Sequence, residues 1–167
     1  MVRTLLLAVA AAAVAAGCSK EAAVEGPPTA TGGDEVAILR SFPASPSGEI
    51  RTETKAVLRD AKAWAVTWAL ASAHLAPLPR APAVDFAKEM VAVAALGEKP
   101  TAGWSVQIVG ARMAEGRLRI LYAVHEPSAA EAAAKVVTRP WHAVVLPASD
   151  LPVEWVVYKP PARPAKR

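Results

Sequence analysis

A chain of 167 residues, 53% hydrophobic and 20% charged, has material for one domain around one core. Its formal charge of +4 comes from the ends: without Arg3 and the tail cations Lys159, Arg163, Lys166 and Arg167, the segment from Cys18 to Tyr158 carries −1. That excludes a basic nucleic-acid face on the fold, and a single cysteine excludes an internal disulfide.

The N-terminal segment reads as an export signal over residues 1–17. Arg3 supplies the positive start, Leu5–Ala16 an apolar run, and Ala15-Ala16-Gly17 the small residues of a cleavage site. The run is too short to span a bilayer, which takes about 20 apolar residues. It closes on Ala15-Ala16-Gly17-Cys18, which resembles a bacterial lipobox, with Ala15 where leucine is commoner. The resemblance implies a diacylglycerol on the Cys18 sulfur, cleavage before it and acylation of the new amino terminus. Two or more acyl chains anchor a protein stably. The expected location is therefore exported and membrane-anchored. Ser19 in place of aspartate points to the outer membrane in a diderm host.

Residues 18–48 have the composition of a lipid-anchored flexible tether. Pro27, Pro28, Pro43 and Pro46 alternate with Gly26, Gly32, Gly33 and Gly48, and apolar periodicity is weak. Val36-Ala37-Ile38-Leu39 is the exception, long enough for a short first strand. The folded domain is expected over 49–158, followed by a basic, Pro-rich tail at 159–167.

Ile50 to Arg59 alternates in the period of a half-buried strand, Ile50, Thr52, Thr54, Ala56 and Leu58 against Arg51, Glu53 and Lys55. Asp60 offers an N-cap for a helix from Ala61 to about His74. Trp64 and Trp68, four apart, share one helix face and read as a core stripe. Pro77, Pro79 and Pro82 end that helix. Glu89–Leu96 is nearly all apolar, as a central strand covered on both faces requires. The stretches from Trp104 and from Arg117 alternate on either side of Glu115-Gly116 and form an antiparallel hairpin. Alanines at 129–134 suggest a helical turn, and Trp141–Leu146 and Val153–Tyr158 are the last strands. The expected fold class is α+β, a single small domain with one main helix packed on a mostly antiparallel β-sheet.

Few residues suit catalysis, and the sequence reads as a non-enzyme. His74, His125 and His142 fall at no metal-ligand spacing, so neither metal nor cofactor is expected. No nucleophile elbow or phosphate loop is present. Asp85 and Glu89 read as a turn cap and a solvated strand residue rather than an acid/base pair. The loop around Lys99, Thr101, Gly103 and Trp104 is the candidate partner-binding element. Exposed loops carry function and aromatic residues are favoured at contact hot spots.

From about Ala83 to Pro152 the chain resembles the PrcB C-terminal domain family, and more loosely from Ile50. The residues that carry the resemblance are Val84-Asp85-Phe86-Ala87-Lys88-Glu89-Met90-Val91 and Gly97-Glu98-Lys99-Pro100-Thr101-Ala102-Gly103-Trp104-Ser105-Val106. Further along come Gly116-Arg117-Leu118 and Val137-Thr138-Arg139-Pro140-Trp141-His142-Ala143-Val144. Ala102 stands where the family has a second glycine, and Trp104 where it has tyrosine. The family's namesake is a lipoprotein partner of a surface protease and not the protease itself. The resemblance implies a membrane-tethered, non-catalytic interaction domain that assembles with or stabilises an envelope protein such as a protease. The alternative is a binding module for an envelope glycan or small ligand.

Overall fold

The computed structural model describes residues 33–129 and 134–159. The signal segment, Cys18, most of the alanine run and the tail beyond Lys159 lie outside the described residues. In chain order the elements are β1 (Asp34–Val36), β2 (Arg40–Ser41), β3 (Glu53–Leu58), α1 (Ala61–Ala71) and β4 (Glu89–Leu96). Then follow β5 (Ser105–Ala114), β6 (Arg117–His125), β7 (Trp141–Pro147) and β8 (Val153–Val157).

β4 and β7 organise the molecule. Both are apolar at almost every position, and such runs need cover on both faces. They pair antiparallel, Ala92 opposite Val144, in the middle of a sheet with order β2-β7-β4-β3. Met90, Ala92, Ala94 and Leu96 point to one side, with Val144 and Leu146 from β7. There they meet Val106, Ile108, Ala111, Leu118, Ile120 and Tyr122 of a second sheet, order β1-β5-β6-β8. Val91, Val93, Ala95, Ala143 and Val145 point to the other side, toward α1.

The expected α+β class is thus overturned. Among the described residues there are two four-stranded sheets and one helix of 11 residues. The protein is a mostly-β sandwich in which the helix is a small cover, not a main layer. The physical reason lies in β4 itself. One short helix shields only one face of a strand buried on both, and a second sheet shields the other.

Local signals account for the elements. Asp60 accepts the Ala63 N–H at 2.8 Å and opens α1. Trp64 and Trp68 stack with Phe42 and Trp141 at centroid separations of 5.3–5.9 Å. Their indole N–H groups donate to the carbonyls of Pro82 and Pro79, which ties the proline-rich segment over the helix. Glu115 (φ +52°) and Gly116 (φ +70°) make the β5–β6 turn with two left-handed residues, the geometry that suits a twisted hairpin. A bulge between Ile108 and Gly110 shifts the alternation, so that Ile108 and Ala111 both face the core.

The fold also begins earlier than the tether boundary at 48 would have it. β1 pairs with β5, Asp34 opposite Met113, and β2 with β7, Arg40 opposite Val145. Phe42, inside the presumed tether, packs on Trp64 and Trp68. Strands of three and two residues are too short to show a period in sequence.

Candidate functional site

The Lys99–Trp104 loop leaves β4 through Gly97. At φ +68° this residue takes a backbone conformation that side chains disfavour, and a Cβ there would come within 2.9 Å of Arg51 O. The chain then runs beside 134–139. Lys99 and Thr138 exchange both backbone bonds, at 2.8 and 2.9 Å. The Thr138 hydroxyl donates to Thr101 O at 3.0 Å, and Ala102 N–H donates to Ala134 O. Gly103, at φ +92°, supplies the left-handed step into β5. Ala102 lies outside that region, so the alanine in place of a glycine carries no backbone strain.

Arg139 fixes the loop from beneath. Its guanidinium donates to Glu98 Oε2 at 3.0 and 3.2 Å and to Glu49 Oε1 at 3.2 Å, and its N–H donates to Pro46 O. Three chain segments, 44–49, 97–104 and 134–141, are thereby pinned around one arginine. Trp141 adds an indole bond to Ser47 O at 3.0 Å.

The four loop residues singled out in the sequence come together here. The Lys99 ammonium lies 4.8 Å from the centroid of the Trp104 ring, in cation–π geometry. Trp104 is half-buried and packs against the edge of the inter-sheet core. Its indole N–H is enclosed and meets no acceptor among the described residues. Beside it opens a cleft of about 430 Å³, lined mainly by apolar groups of Pro46, Ala102, Gly103, Trp104 and Val106, with Ser45 and Thr138 as polar points. Arg139, Thr138 and the 44–46 segment went unmarked in the sequence. The stretch Val137–Val144 carried part of the family resemblance and was the one signal pointing to the first two.

The other residues weighed for chemistry are spread through the fold. Glu89 pairs with Arg40 at 2.6 Å, and Arg40 also donates to Ala83 O. Asp85 accepts the Ala87 N–H and caps a turn. His142 is buried between the sheets: Nδ1 accepts the Ile108 N–H at 2.9 Å, so Nε2 holds the proton and points it at Ser41 Oγ, 3.1 Å away. Burial pushes its pKa below the usual imidazole value, with a backbone contact to Phe42 working weakly the other way. It is neutral near pH 7 and joins the two sheets. Among the described residues no three His, Cys, Asp or Glu side chains converge as a metal site would need.

Residues 90–147 match the family model described as PrcB C-terminal, which bears out the resemblance. The match runs from β4 to the end of β7 and holds the two central strands of each sheet, β7–β4 and β5–β6. The edge strands β1, β2, β3 and β8 and the helix lie outside it, as does Val84–Glu89. Neither the curated proteins nor the solved structures give a match.

Proposed function

With a PrcB C-terminal unit as the centre of both sheets, we propose that the protein is a non-catalytic accessory domain that assembles with an envelope or surface protein such as a protease. The observation that carries this is the Trp104 cleft. An apolar recess with an aromatic wall and a cationic rim at Lys99 has the composition of a contact hot spot. Its walls are held rigid by Arg139 and the Lys99–Thr138 bridge, so a partner does not have to order them on binding. The family's protease-complex association supports the kind of partner.

The same reading makes the protein a lipoprotein. Arg3, the Leu5–Ala16 run and Cys18 support export and lipidation, and the tether from Ser19 to the first strand would give the domain reach from the membrane. Cys18→Ala should move the protein from membranes to the soluble exported fraction or leave an uncleaved precursor. A variant that still fractionates as mature protein with membranes would refute the anchor.

Affinity capture from membranes, with identification of the co-purifying protein, tests the assembly. Lys99→Glu reverses the rim charge. Ala102→Trp plugs the cleft from a position with ordinary backbone angles and no core contact. Both should melt as the parent does and recover at least about tenfold less partner, the loss that 1.4 kcal/mol at one hot spot produces. Normal capture by both sinks the cleft as the contact. Turnover of a peptide, ester or glycan by the purified protein sinks the non-catalytic reading.

A further inference from the structure

β8 is the outer strand of the second sheet and bonds only to β6, to which it runs parallel. Leu118 N–H donates to Pro152 O, and Tyr158 N–H donates to Tyr122 O. Those two bonds fix the parity of the strand: residues 152, 154, 156 and 158 turn their backbone groups toward β6. The N–H and C=O groups of Val153, Trp155 and Val157 therefore point away from the sheet. They meet no backbone or side-chain partner among the described residues. Free edges are usually blunted by an inward charge, a bulge or a proline within the strand. β3, the edge of the other sheet on this side, has such a device. Its Lys55 turns inward and lies 5.0 Å from the Tyr122 ring centroid. β8 has no inward charge, bulge or proline of its own. Its one charged side chain, Glu154, lies on the outer side and is bonded to Arg119, and Val157 is exposed at 52%.

We infer that this edge is an association surface for a second copy of the same chain, paired antiparallel along β8 about a two-fold axis at Trp155. The free groups fall on 153, 155 and 157, and a two-fold centred on 155 sets 153 opposite 157 and 155 opposite 155. Every outward N–H and C=O then faces another outward group, so the register is self-complementary. Side chains match as well. Exposed Val157 is covered by the second copy's Val153, and Glu154 lies opposite Val156, with no like charges directly opposed. Each Glu154 is already bonded to Arg119 at 3.0 Å, which tempers the diagonal approach of the two carboxylates. The two Trp155 rings meet on the core-facing side. There a cleft of about 470 Å³, between β8 and the Lys55, Val57 and Arg59 side of β3, has room for them. The surface is separate from the Trp104 cleft, so either assignment can fail alone.

Sedimentation velocity on the purified protein tests this, over roughly 10 µM to 1 mM, the range of a weak, sub-standard interface. On protein purified without its lipid, reductant keeps Cys18 from crosslinking copies. The expected result is a monomer shifting to a dimer with concentration. Amide exchange by NMR gives the specific signature. Glu154 and Val156 should be protected in the monomer already, whereas Trp155 and Val157 should gain protection only as the dimer forms. Val157→Pro removes an outward N–H and no bond to β6, so it should keep its melting temperature within about 3 °C and stay monomeric. Val157→Lys, charged at an exposed position, should weaken association at least about tenfold and keeps the test open if the proline variant unfolds. A monomer throughout the range overturns the inference, even if its edge takes up a foreign extended peptide. So does a dimer that neither variant disturbs.

Discussion

Gly97 and His142 show how single residues set the geometry of this domain. A methyl group on Gly97 would sit 2.8 Å from Glu53 N and 2.9 Å from Arg51 O, on backbone at φ +68°. Gly97→Ala should therefore lower stability by about 1–3 kcal/mol, measured by chemical denaturation, since neither neighbour is a side chain free to swing away. For His142 the sign follows from burial. The unfolded imidazole titrates near about 6.5, and the folded one lower. Between those values the unfolded chain binds the proton and the folded chain does not. The stabilisation is therefore complete above about pH 6.5, falls as pH drops below it, and levels off below the folded pKa. Melting temperature should fall between pH 7 and pH 5. In His142→Leu the slope should flatten, and stability at pH 7 should drop by about 1–3 kcal/mol because Ile108 N–H loses its acceptor. The place of His142 in a strand was legible, within the expected Trp141–Leu146 run. Its reach to the opposite sheet was not, since a strand's sequence does not say what faces it.

At the scale of elements, the sequence was most informative where periodicity was long. β4 as an apolar central strand and the β5–β6 hairpin around Glu115-Gly116 appear as expected. The edges were hidden. β1 and β2 are too short for a pattern, and the prolines and glycines around them have the composition of a linker. Removing residues 33–46 would take away both edge strands and Phe42. Such a protein should melt well over 5 °C lower than the parent, or without a sharp transition. Phe42→Ala alone should cost about 2 kcal/mol, below the usual phenylalanine value because the ring is only half-buried. An unchanged melt after the deletion would return these residues to the tether. The candidate loop was found by its exposed position, glycines and tryptophan. The arginine that holds it was missed because its partners, Glu49 and Glu98, lie 90 and 41 residues away.

Across the whole molecule, the fold class was misread although its cause was in plain view. A strand apolar on both faces implies two covering layers, and only one helix was on offer. Counting covers as well as strands would have pointed to a second sheet. Because β4 and β7 contribute to both apolar layers, the layers should unfold together. Trp64→Ala on the helix side and Ile120→Ala between the sheets should each cost about 3–5 kcal/mol, and each should shift one common transition. With the central sheet between them, the two losses should add to within about 0.5 kcal/mol in the double variant. Two separate transitions would show that the helix layer is an independent unit.

The pairing of β2 with β7 has a consequence in time. Ser41 leaves the ribosome more than a hundred residues ahead of its partner Val144. Until residue 147 has emerged, β4 lacks a neighbour on one side, and β2 has nothing to join. Synthesis thus delivers first the parts that can be paired only late. Such non-local pairing belongs to the slow regime of folding, milliseconds to seconds. For that interval the apolar β4 is exposed with an open edge, the state in which a nascent chain most needs a chaperone.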